Sequence, residues 1–179
     1  MDKRGKKKGT TPMDAALRYL TMKPRTVLEM ELYLDKCEFG EFEVYQVIER
    51  LKELNYLNDA EYAQNFIQTR LATKPVSRRK LREQLYAHKL SKETIEEALS
   101  AVSDGMEAKN AAAIAAKYAR QFENLPDPER KQRVMQRLCA RGFEYAAVRE
   151  CMDALLGGCA ENEYFEAARR SADAEDDEL

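Results

Sequence analysis

The stretch SRRKLREQLYAHKLSKETIEEALSAVS, residues 77–103, holds two helices and the turn between them. Leu81 and Leu85 stand four apart, as do Ile95 and Leu99, the spacing that lines one face of an α-helix. Ser77 and Ser91 sit where a hydroxyl can accept from the amides of a first turn. The pattern predicts helices over 77–88 and 91–103, and it recurs on both sides. Leu28 and Leu32 align with Leu81 and Leu85, then with Val134 and Leu138, at intervals of 53 residues. In the following helix Val44, Ile95 and Val148 correspond, as do Ile48, Leu99 and Met152. A unit recurring at about fifty residues marks a repeat architecture.

Punctuation between the periodic segments agrees. The seven glycines and five prolines fall between them, as expected of residues that weaken helix interiors. Thr11-Pro12 reads as a cap followed by proline at the first helical position. Thr26 with Glu29, and Asn58 with Glu61, have capping-box spacing. Asp127-Pro128-Glu129 opens another helix with acidic groups at the positive end of its dipole. Further helices are expected over 12–22, 26–37, 41–54, 59–73, 105–123, 127–141 and 144–156. No run alternates as a strand would. The expected fold is therefore all-α, three tandem three-helix repeats stacked into an elongated, curved array. The repeats span 12–58, 59–103 and 104–156, between a basic flexible arm (1–11) and an acidic flexible tail (157–179).

Composition narrows the class of function. Apolar residues make up 44% and charged residues 35%, with a net charge of −2. No segment approaches the ~20 apolar residues of a bilayer span, and the basic start lacks the apolar run of a secretory signal. A cytoplasmic protein is expected, with no membrane contact. Cys37, Cys139, Cys151 and Cys159 form no CxxC pair and read as thiols, Cys139 and Cys151 on apolar helical faces. His88 is the only histidine, which rules out a His-rich metal site; no metal or cofactor is expected.

Catalytic motifs are equally absent. GKKKG at Gly5–Gly9 lacks the order of a P-loop, and His88 has no matched nucleophile. It reads as an exposed residue at a helix end. Glu29/Glu31, Glu41/Glu43 and Glu49/Glu53 read as solvated faces. The chain is expected not to be an enzyme.

The basic residues are the candidate site. Lys74, Arg78, Arg79, Lys80 and Arg82 cluster about a helix start, where cations oppose the dipole and stability alone would favour Asp or Glu. Arg130, Lys131 and Arg133 occupy the matching place in the third repeat, and Arg25 a comparable one in the first. Such a stripe could contact phosphates or acidic protein surface. The alternative is a solvated face paired with Glu83 and Glu129.

Several segments are similar to a known family. Ala16-Leu17-Arg18-Tyr19-Leu20, Arg25-Thr26, Val47-Ile48-Glu49-Arg50-Leu51, Tyr56-Leu57-Asn58-Asp59, Tyr62-Ala63 and Arg70 resemble the first repeat and junction of the RecX family. Arg78 to Leu85 resembles its second-repeat basic helix, and Leu138 to Phe143 its third-repeat ending. The resemblance implies a modulator, usually an inhibitor, that binds along the RecA–DNA filament and suppresses ATP hydrolysis and strand exchange. The chain departs from the family at Lys74-Pro75, and at Asn55 and Lys89, which stand where glycine is usual. Asparagine tolerates the left-handed conformation better than lysine. A monomer is expected, with weak single- or double-stranded DNA binding compatible with the recombinase partner. The alternatives are a direct nucleic-acid-binding helical module without a recombinase partner, and a generic helical scaffold.

Overall fold

A computed structural model describes residues 11–157; residues 1–10 of the basic arm, most of the acidic tail and Cys159 lie outside the described residues. Within them the chain forms nine α-helices and no strand. They are α1 (Pro12–Leu20), α2 (Val27–Lys36), α3 (Glu41–Glu53), α4 (Asp59–Thr73), α5 (Arg78–Ala87), α6 (Lys92–Ser100), α7 (Asp104–Gln121), α8 (Asp127–Cys139) and α9 (Tyr145–Leu156). In sequence order they form three triplets.

Helix starts follow from local chemistry. Thr11 accepts from the Asp14 amide at 3.1 Å, and the Asp14 carboxylate returns to the Thr11 amide, a complete capping box. Asn58, Ser77 and Ser91 accept from Glu61, Lys80 and Thr94 amides at 3.0, 3.1 and 3.2 Å. Ser103 caps α7 in the same way, so that helix begins one residue before the position expected at Gly105. At Thr26 half of the expected box forms: its hydroxyl accepts from the Glu29 amide at 3.2 Å, but the Glu29 carboxylate goes elsewhere.

Two compact units divide the chain. Among the described residues, one holds α1–α3, α4 as far as Phe66, and Gln84–Ala98; the other holds Ile67–Glu83 and residues 99–157. In the first, Ala15, Ala16, Met30, Leu34, Val44, Val47, Ile48, Leu51 and Leu57 make one core. In the second, Ala111, Ile114, Val134, Met135, Leu138, Phe143, Val148 and Met152 make another, joined by Cys139 and Cys151.

The burial corrects the repeat register in the first triplet. Leu28 and Leu32 are 40% and 51% exposed, whereas Met30 and Leu34 are fully buried. Helix α2 reads VLEMELYL, with apolar residues on two overlapping faces, so spacing alone selects either pair. The turn that ends the helix decides. Glu38, Lys89 and Gly142 each have positive φ (62°, 64° and 80°), four residues after Leu34, Leu85 and Leu138. The next amide reaches back in each case: Phe39 to Leu34, Leu90 to Leu85 and Phe143 to Leu138 at 3.5, 3.5 and 3.3 Å. These are the long bonds of a Schellman turn, repeated three times. Met30 and Leu34 are therefore the equivalents of Leu81 and Leu85, at an interval of 51 residues. Lys89 and Asn55 (φ 57°) occupy left-handed positions, as their place at usual glycines suggested, and Glu38 is a third.

Candidate interaction site

The N-cap of each of the first two middle helices, α2 and α5, is locked to the turn that ends the middle helix of the following triplet. In the first compact unit Thr26 is fully buried, and its hydroxyl donates to the His88 carbonyl at 2.8 Å. The Val27 amide, an orphan donor of the first turn, donates to Asp59 Oδ1 at 2.9 Å. His88 Nδ1 lies 3.0 Å from Glu29 Oε1, and its ring meets Tyr62 and Phe66 edge-on at 5.6 and 5.2 Å. His88 is therefore a half-buried joint residue rather than an exposed helix end. Glu29, expected on a solvated face, is its partner.

Burial has electrostatic consequences at this joint. Desolvation pushes the Asp59 carboxyl above its usual range, against the opposing pull of the Val27 amide. Tyr62 is pushed up to about 12, first by desolvation and then by the Glu29 carboxylate.

The second unit repeats the joint with other residues. Ser77 is buried, and its amide donates to the Arg141 carbonyl at 2.9 Å. The Arg78 amide donates to Glu107 Oε1 at 3.2 Å, as Val27 does to Asp59. Gly142 lies so close that an added Cβ would stand 2.6 Å from Ser77 Oγ and 2.9 Å from Lys80 Cβ.

This geometry places the basic residues. Arg78 pairs with Asp104 at 2.8 Å, so carboxylates of α7 offset the cations at the start of α5. Arg79 pairs with Glu83 at 2.8 Å, and Lys80 lies 3.7 Å from the same residue. Lys74 is exposed, and Arg82 is half-buried. On α8, Arg130 pairs with Asp127 at 2.7 Å and Arg133 with Glu129 at 3.4 Å, while Lys131 is half-buried. Each cluster pairs largely within its own neighbourhood. Arg25 belongs to the other compact unit, and its side chain is 12% exposed. It stacks 3.8 Å above the Tyr19 ring, which itself stacks on Tyr33 at 3.9 Å, and reaches Glu29 at 4.0 Å.

A second group of cations escapes a reading of the linear sequence. Lys117 on α7, Arg137 on α8 and Arg141 just beyond α8 surround Tyr118, at 6.0, 5.7 and 5.9 Å from its ring centre. Arg141 Nη2 donates to the Tyr118 hydroxyl at 3.3 Å, and its Nη1 donates to the Pro75 carbonyl at 2.7 Å. The three cations stand up to 24 positions apart, so only the i, i+4 pair Arg137/Arg141 was a visible signal.

The chain has clear relatives. Residues 13–51, 58–99 and 106–152 match the first, second and third three-helix domains of RecX, respectively. It is 28% identical over 152 residues to the regulatory protein RecX of Bacillus pumilus, covering 85% of this chain and 58% of that protein. With the RecX of Bacillus subtilis it shares 31% identity, over 77% of this chain and 52% of the relative. The chain thus spans just over half the length of these two. The RecX of Prosthecochloris aestuarii is nearer in size, 28% identical over 80% of this chain and 93% of its own. The crystal structure of RecX from Lactobacillus salivarius superposes with a TM-score of 0.70 at 24% identity, covering 80% of this chain and 94% of that one, a likeness of fold.

Proposed function

This chain belongs to the RecX family, and on that premise we propose that it is a non-enzymatic, mostly inhibitory regulator of the RecA recombinase. It binds the RecA–DNA filament in the cytoplasm as a monomer and slows ATP hydrolysis and strand exchange during recombination and repair. The observation that carries the reading is the order of the matches: three RecX domains in register with three helix triplets. A repeated unit suits a partner that is itself a repeat, because successive triplets can meet successive protomers. Within the second compact unit, the contact is assigned to Lys74, Arg78, Arg79, Lys80 and Arg82 with Arg130, Lys131 and Arg133. Arg25, committed to Tyr19 and Glu29, serves the fold of the first unit.

The test is co-sedimentation of the full chain with RecA filaments assembled on single-stranded DNA, beside RecA-free DNA as control. Saturable sedimentation that depends on RecA supports the reading. Equal sedimentation with DNA alone favours the alternative, a nucleic-acid-binding helical module without a recombinase partner.

A further inference from the structure

The cations around Tyr118 differ in one respect from the arginines that open α5 and α8. Among the described residues no carboxylate pairs with Lys117, Arg137 or Arg141; their partners are one aromatic ring, its hydroxyl and one carbonyl. By contrast Arg78, Arg79, Lys80, Arg130 and Arg133 each have an acidic neighbour. The ends of α7 and α8 carry only roughly half a negative charge each, too little to balance three cations. The Tyr118 hydroxyl registers the excess: the Arg141 hydrogen bond, with Coulomb pull from all three cations, holds its ionisation below the usual tyrosine range despite some burial. Lys117 and Arg137 are exposed, and Tyr118 stacks on Phe122 at 5.9 Å.

We propose that Lys117, Tyr118, Arg137 and Arg141 form a binding site for the phosphodiester backbone of single-stranded DNA. Charge complementarity selects a polyanion, and three cations converging on one ring can bridge adjacent phosphates of a flexible strand. The Tyr118–Phe122 pair adds a π-surface of the kind that unpaired bases use without regard to sequence. This deepens the filament reading, since a filament carries such a strand, but it is measured without the recombinase.

The probe is fluorescein-labelled oligothymidylate, titrated with the full chain at several salt concentrations and followed by anisotropy. Lys117→Gln with Arg137→Gln should weaken binding about tenfold at low salt. It should also lower the slope of log affinity on log salt by about 1.4, from ~0.7 per neutralised phosphate. The swap Lys117→Arg with Arg137→Lys keeps the charge and should keep the slope. Arg149→Gln, an exposed change on α9, should leave both quantities unaltered, and circular dichroism checks that each variant is folded. Wild-type chain that does not bind the oligonucleotide overturns the site, as does an unchanged slope in the double Gln variant. An equal loss in Arg149→Gln overturns it too, since binding would then be diffuse. If RecA-dependent sedimentation persists in any of these cases, the regulatory reading stands and only the DNA site falls.

Discussion

Gly142 is the residue where backbone and packing make the same demand. Its φ of 80° disfavours a side chain, and a Cβ would collide with Ser77 and Lys80. Gly142→Ala should therefore cost about 2–4 kcal/mol in urea unfolding. Lys89 holds the equivalent left-handed position, and Lys89→Gly should stabilise by about 0.5 kcal/mol once the greater freedom of glycine in the unfolded chain is deducted. Tyr62 gives a pH-dependent counterpart. Between pH 10 and about 12 the unfolded chain releases this proton while the folded chain keeps it, so stability falls as pH rises through that window. Tyr62→Phe should show a shallower alkaline loss, read from urea midpoints at pH 9 and 11. The need for left-handed turns at Asn55 and Lys89 was legible because glycine is usual there. Glu38 gave no sign, since nothing in a glutamate marks positive φ. His88 and Glu29 misled for a related reason: their environment comes from residues some twenty to sixty positions away, beyond the reach of local pattern.

At the scale of elements, caps and periodicity specified nearly every helix, because capping chemistry is local and glycine and proline bound each segment. Register was legible where a helix has one apolar stripe, as in α5 and α8, and ambiguous in α2, where two stripes overlap. The exposures there yield a direct comparison. Leu34→Ala should cost about 3 kcal/mol by opening a cavity in the first core, whereas Leu32→Ala should stay within about 0.5 kcal/mol. Equal losses in thermal unfolding would restore the 53-residue register. The joints explain why α5 tolerates cations in its first turn: Asp104 and Glu107 of α7 supply the negative charge that the helix itself lacks. Part of the basic cluster thus holds the fold, a role invisible in sequence because its partners lie about thirty residues downstream.

For the whole molecule, the all-α class and the three triplets were legible in the repeat, and the family followed from Tyr56-Leu57-Asn58-Asp59 and the basic helix. The group around Tyr118 was not, because it is assembled from two helices whose cations look like ordinary surface charge until they meet on one ring. Each compact unit contains one complete joint, so the joint, built from two successive triplets, is the recurring structural element. Restraint of a recombinase filament by such a chain is read from RecA ATP hydrolysis on single-stranded DNA, with the full chain titrated in at fixed salt. Hydrolysis should fall well before the chain equals RecA in amount, because a filament-bound regulator acts on many protomers. Hydrolysis that stays constant through a full equivalent of the chain would contradict it.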